Sequence, residues 1–137
     1  MTRNIKIASY NSYGSGCGRL EYINKLCNDH DIVLIQEHWL VSQQFHIYNN
    51  KLNNFNSYCI SGITDSKILN GRPYGGCAVL WNKNMMASVT PVDTHSKRVC
   101  AVNLLIGNFS VLICSVYMPN DSSLTNEDYK STCSELF

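Results

Sequence analysis

Ile32-Val33-Leu34-Ile35-Gln36-Glu37-His38-Trp39 is the stretch whose reading decides the fold. Four aliphatic residues in a row, three of them β-branched, predict a strand buried on both faces, as in the middle of a layered α/β protein. The run then turns abruptly polar at Gln36, Glu37 and His38. A carboxylate at the end of a buried strand is costly unless something pairs with it or coordinates it. Strand ends are also where α/β folds gather their chemistry. Glu37 is therefore the first candidate functional residue; the alternative is a Glu that has simply reached the surface.

Working outward, Ile5–Tyr10 alternates apolar and polar residues and predicts a first strand. A Ser-Gly-Cys-Gly loop at 15–18 opens a short helix over Arg19–Asn28, with Leu20, Ile23 and Cys27 on one face and Leu26 beside them. Strand, helix, strand in so short a span is the pattern of a parallel βαβ unit. A short helix is expected near Ser42–Leu52, a strand near Ser57–Ser61, and a long loop over 62–75 carrying Lys67 and Arg72. Strands follow at Cys77–Trp81, Ala87–Val92, Val99–Ile106 and Phe109–Tyr117, the last two joined at Gly107-Asn108 by a two-residue turn of the II′ kind. A final helix is expected from Thr125, capped by Thr125 or Asn126, with Tyr129, Cys133, Leu136 and Phe137 as its apolar face.

The chain has 137 residues, enough for one domain with a core of its own. A net charge of +1 with 15% charged residues gives no bulk electrostatic pull toward a polyanion. The seven cysteines form neither a CxxC pair nor a zinc spacing, and MTRNIKIASYN lacks the apolar segment of a secretory leader. Cys77, Cys100 and Cys114 fall inside strand-like runs and are expected as small buried hydrophobes in a reducing, intracellular compartment, with the nucleus open as the site and secretion not expected. No apolar run reaches the length of a membrane span.

Asn11, Glu37 and Tyr117 each fall at the C-terminal end of an apolar strand. An amide, a carboxylate and a phenol at one rim suit phosphate-ester chemistry. The carboxylate offers a hard oxygen to Mg²⁺, and the other two can hydrogen-bond a phosphate as charge builds. Singly, Asn11 can be a turn cap and Tyr117 a core aromatic.

Together, four blocks in register carry a resemblance: Ile7-Ala8-Ser9-Tyr10-Asn11-Ser12-Tyr13-Gly14, Ile35-Gln36-Glu37-His38-Trp39-Leu40, Gly71-Arg72-Pro73-Tyr74-Gly75-Gly76-Cys77-Ala78-Val79-Leu80 and Ser115-Val116-Tyr117-Met118-Pro119-Asn120. They resemble the endonuclease/exonuclease/phosphatase superfamily, and within it the apurinic-type endonuclease domains of non-LTR retrotransposons. The resemblance implies a four-layer α/β sandwich of two β-sheets flanked by helices, and Mg²⁺-dependent (or Mn²⁺-dependent) phosphodiester hydrolysis on DNA. Carried over by motif, Glu37 is the metal ligand, Asn11 its neighbour near metal and phosphate, and Tyr117 a phosphate contact. Arg98 is a looser candidate for a substrate contact, its alternative being a solvated strand-end Arg. His38 is expected to support Glu37 rather than react.

The family's later blocks, an Asp-x-Asn on a strand, a further Asp and a terminal Asp-His pair, have no counterpart up to Phe137. Residues 1–137 are thus expected to be the N-terminal portion of one such domain, without internal boundary, inactive alone and completed by a C-terminal half. The alternatives are a non-catalytic remnant or binding module, and a phosphatase- or sphingomyelinase-like relative.

Overall fold

A computed structural model describes residues 4–63, 74–119 and 126–136, with side chains from Lys130 onward in the last helix. Strand β1 (Ile7–Asn11), helix α1 (Cys17–Asp29) and strand β2 (Ile32–Gln36) form the expected βαβ unit, with β1 and β2 parallel from Ile7 opposite Ile32 to Asn11 opposite Gln36. That register brings both strands to the same end at Asn11 and Gln36. Ile23 and Cys27 are the buried residues of α1, and Leu20 and Leu26 pack beside them.

The expected helix at 42–52 resolves into two pieces, a 3₁₀ turn at Ser42–Gln44 and helix α2 (His46–Lys51). The Gln44 side-chain oxygen accepts the Val41 N–H at 3.1 Å and tightens that first turn. His, Tyr and Asn are weak helix formers, so α2 rests on burial of Tyr48 rather than on propensity. Strands β3 (Phe55–Ile60) and β4 (Cys77–Asn82) complete an antiparallel flank, giving a four-stranded sheet in the order β1-β2-β4-β3. The loop residues 64–73, with Lys67 and Arg72, lie outside the described residues.

Strands β5 (Ser88–Val92), β6 (Val99–Ile106) and β7 (Phe109–Val116) make a second, antiparallel sheet in that order. Ile106 pairs with Phe109 across Gly107-Asn108, and Gly107 takes φ +57°, the left-handed angle a II′ turn demands of its first residue. Helix α3 (Asn126–Leu136) follows; Cys133 and Leu136 of its expected face are half-buried, and Thr132, which the periodicity did not single out, is buried. Tyr129 and Phe137 of that face lie outside the described side chains. The Ser96 hydroxyl donates to the Glu135 carboxylate, tying α3 to the loop that enters β6.

Strand β2 is buried on both faces because it separates two apolar layers. Val33 and Ile35 pack with Ile23, Tyr48 and Leu80 beneath the helices, while Ile32 joins Cys77, Val79, Cys100 and Val102 between the sheets. The chain is therefore an α/β protein with two face-to-face sheets and helices, as expected. All seven cysteines are free. Burial pushes the Cys77 thiol up to about 12 and the Cys100 thiol higher still, so both stay protonated and behave as small apolar groups. Among the described residues no helix is long and apolar enough to cross a membrane.

Candidate functional site

Glu37 leaves β2 with φ +55°, between Tyr13 at +48° and Trp39 at +62° on the neighbouring segments. Left-handed backbone at a bulky non-glycine residue costs about 1–3 kcal/mol, and such residues concentrate at functional sites. Here the cost is offset by stitching the turn after β1 to the end of β2. The Ser12 N–H donates to Gln36 O at 2.9 Å and the Gly14 N–H to Glu37 O at 2.7 Å. The Ser12 hydroxyl also reaches Glu37 O, at 3.2 Å.

This stitching brings the candidates together. The Asn11 amide nitrogen donates to a Glu37 carboxylate oxygen at 2.9 Å, while the Asn11 amide oxygen accepts the Tyr13 N–H at 3.2 Å. Tyr117, one residue beyond β7, has its phenol facing Glu37, close enough for the carboxylate to act on it. Burial first, then the Glu37 carboxylate, raises the Tyr117 phenol above its ordinary value, with Arg98 pulling the other way. Tyr117 is thus a protonated donor. Arg98 sits with its guanidinium carbon 5.5 Å from the centre of the Tyr117 ring, and the Tyr117 N–H donates to Arg98 O at 2.9 Å. All four candidates, Asn11, Glu37, Tyr117 and Arg98, therefore form one continuous row.

His38 turns the other way. Its side chain has no exposed surface, its Nδ1 accepts the Leu40 N–H at 2.9 Å, and its Nε2 faces Ile60 O at 2.9 Å and Cys77 O at 3.3 Å. Because Leu40 supplies a donor to Nδ1, the proton must be on Nε2. Burial lowers its pKa to about 4, so the ring is neutral. The chain passes so close to this ring that a Cβ at Gly76, which has φ +91°, would overlap it. Gly75, at φ +69°, offers its carbonyl to the Trp39 N–H at 3.0 Å. Gly76 is thus explained by His38 beneath it, and Gly75 by its own positive φ and the close approach of the Gly62 backbone.

Four features escaped the sequence reading. A polar seam runs between the sheets, where the Ser115 hydroxyl donates to Ile35 O at 2.7 Å and accepts from Gln36 Nε2 at 2.9 Å; a lone inward Ser in an apolar strand was its only signal. A cleft of about 130 Å³ opens beside Tyr117 and Arg98, lined also by Gly62, Tyr74, Gly75 and Lys97. Tyr13 and Trp39 pack ring against ring on the flank of the site. A larger cleft of about 380 Å³ lies near the start of β2, lined by Asn24, Asn28, Lys51, Asn53, Asn54 and Asn82 among others. It holds no carboxylate, and Glu37 is at the opposite end of the strand.

His30, His46 and His95 serve local roles. The first two face backbone carbonyls of Leu26 and Gln43, and His95 pairs with Asp93 on the surface. Among the described residues no three His, Cys, Asp or Glu side chains converge as a metal-binding group.

No protein of curated function matches the chain in sequence. Among solved structures, the endonuclease domain of TRAS1, a telomere-specific non-LTR retrotransposon, superimposes with a TM-score of 0.67 at 12% identity, covering 97% of this chain and 54% of that one. The 3′-5′ exonuclease NExo from Neisseria meningitidis gives 0.57 at 20% identity, covering 95% and 48%. A structure of the Neisseria 3′ phosphatase NExo bound to product DNA hairpin gives 0.57 at 19%, covering 96% and 48%. At these identities the likeness is one of fold, and the chain spans about half the length of the solved structures it matches. The sequence model of the endonuclease/exonuclease/phosphatase family matches residues 8–130, and the chain belongs to that family.

Proposed function

We propose that this chain carries the phosphate- and metal-anchoring part of a nuclease active site that acts on DNA, of the kind found in the endonuclease region of a retrotransposon polyprotein. The observation that carries this reading is the Asn11–Glu37–Tyr117 row, in which one strand-end carboxylate is held by an amide and faces a phenol. The likeness to the retrotransposon endonuclease domain supports the choice of substrate.

The donor set fits a hard divalent ion. Mg²⁺ takes one or two protein carboxylates and fills the rest of its shell with water and phosphate. Glu37 would hold it. Asn11 would stand at its edge, since the amide oxygen accepting the Tyr13 N–H has a second lone pair; Mn²⁺ would substitute. Bound there, the ion would polarise the phosphoryl oxygen and offset its growing charge. The chain's own contribution is orientation. Asn11 fixes the carboxylate, the Tyr117 hydroxyl is a donor in reach of an oxyanion, and Arg98 adds a permanent charge beside it.

One carboxylate without an aligned general base is poor equipment for turnover. The reading is therefore binding of metal and phosphate with no cleavage by this chain alone, the missing groups being supplied by a C-terminal half in an intact protein. The same donor count favours a second reading, a binding module that has lost hydrolysis. The test is Mg²⁺ titration followed by NMR, beside a plasmid-nicking assay on the purified chain. Weak, millimolar perturbation centred on Asn11 and Glu37, lost in Glu37→Gln and without nicking, is the expected result. Equal shifts in Glu37→Gln would place the ion elsewhere. Glu37-dependent nicking would show that the chain is catalytically complete.

A further inference from the structure

We propose that Tyr13 and Trp39 form a stacking platform for one unpaired nucleobase, next to the phosphodiester that Glu37 faces; this rests on the nuclease reading above. The two rings belong to the segments that build the site. Tyr13 lies two residues past Asn11 and Trp39 two past Glu37, and the Gly14 N–H bonded to Glu37 O at 2.7 Å locks those segments together.

The rings are held as a surface. Their centroids are 4.7 Å apart at an interplanar angle of 60°, and the Arg19 guanidinium lies over Tyr13 at 5.9 Å. Arg19 is itself fixed by its Nε donating to Ser12 O at 2.9 Å. Even so, Tyr13 remains 49% exposed. Both aromatic residues have left-handed backbone, φ +48° and +62°, which bulky side chains disfavour. Gly14 between them, at φ +107°, lets the chain pass where a Cβ would come within 2.9 Å of the Trp39 ring. A pair that served only to bury apolar area would have no need to keep half of one ring in solvent at an unfavourable backbone angle.

The half-exposed Tyr13 ring, braced edge-to-face by Trp39 beside the Glu37 carboxylate, matches a nucleotide whose base has left its own stack. Within a duplex each base face is covered by its neighbours, whereas an unstacked base offers its π-face to a side chain, whatever its identity. The ligand class is thus single-stranded or locally opened DNA.

The test uses the full chain, with Trp81→Phe in the fluorescence arm so that Trp39 is the sole tryptophan. Fluorescein-labelled oligothymidylate and an abasic sugar-phosphate oligomer of equal length are titrated by anisotropy, and Trp39 emission is followed in parallel. Stacking of one base predicts about tenfold tighter binding of oligothymidylate than of the abasic oligomer, with quenching of Trp39. Tyr13→Gly, which suits the backbone angle and so preserves the turn, should reduce the preference to near unity, and Tyr13→Phe should keep it. Equal affinity for the two oligomers, both weakened by Arg98→Ala, would overturn the platform and leave the phosphate reading standing. Binding of neither oligomer would overturn both. Equal quenching by blunt duplex would overturn the requirement for an unpaired base.

Discussion

Glu37 and His38 are neighbours in the chain, yet they belong to regions built on opposite terms. The inner region, His38 with Gln36 and Ser115, is sealed and internally satisfied, its polar atoms bonded to carbonyls, a backbone N–H and each other. The outer row, Asn11, Glu37, Tyr117 and Arg98, is at the rim and its members chiefly face one another, Asn11 bonded to Glu37 and Arg98 set over the Tyr117 ring. Buried polar groups left without partners cost about 1–3 kcal/mol each, so the inner bonds belong to the fold. The outer bonds can be exchanged for a ligand at little cost because water and phosphate can replace them. The comparison teaches that closeness to a strand end does not identify a functional residue; what its partners can be exchanged for does.

The largest way to break the inner region is Gly76→Ala. A Cβ there would overlap the His38 ring at a backbone angle alanine resists, and His38 is fixed by three contacts. A loss of about 4 kcal/mol, or failure to fold, is expected in urea denaturation. A loss below about 1 kcal/mol would mean that the His38 seat is soft.

Next comes acid. The His38 pKa is lowered by burial to about 4 from an ordinary 6.5, so between those values the unfolded chain binds the proton and the folded one does not. Its contribution is present in full above pH 6.5 and declines as pH falls toward 4, by up to about 3 kcal/mol. The His38 ring resonance should accordingly remain unmoved by NMR until close to pH 4. Titration near the ordinary histidine value would show that the inner region is open to water.

The sequence made the scaffold readable for reasons these particular residues supply. Ile32–Ile35 could only be a doubly buried strand, Leu20, Ile23 and Cys27 could only face one way on a helix, and Gly107-Asn108 carries its turn type in its composition. The row of Asn11, Glu37 and Tyr117 was visible as three polar breaks at strand ends. What stayed hidden is tertiary. Ser115 meets Ile35 and Gln36 across some eighty positions, and no local pattern announces that pairing. Nor does Gly76 reveal that it crosses an imidazole. Nor does periodicity announce that 42–52 divides into a 3₁₀ turn, capped by the Gln44 side chain on the Val41 N–H, and a separate short helix.

Ser115→Ala probes the same inner region more gently. It removes the donor to Ile35 O and the acceptor for Gln36 Nε2, both buried, and should cost about 2 kcal/mol in chemical denaturation. The outer row should be untouched, so any Mg²⁺-induced shifts at Glu37 should match those of the parent chain.

The smallest expected effect on stability is at Glu37 itself. In Glu37→Gln the side-chain oxygen that accepts from Asn11 can be kept. What disappears is the charge. With neighbours at the rim rather than in a sealed core, the change in unfolding free energy should stay within about 0.5 kcal/mol, as for a surface substitution. The same variant should lose the Mg²⁺ response altogether, because an amide oxygen is a far weaker ligand for a hard cation than a carboxylate. The Tyr117 phenol should also move back toward its ordinary value, since Glu37 is among the groups that raise it. Stability unchanged and ion response gone would mark Glu37 as held for chemistry rather than for the fold. A loss of about 2 kcal/mol or more would instead assign it to the same architecture as His38, and the distinction between the two neighbours would collapse.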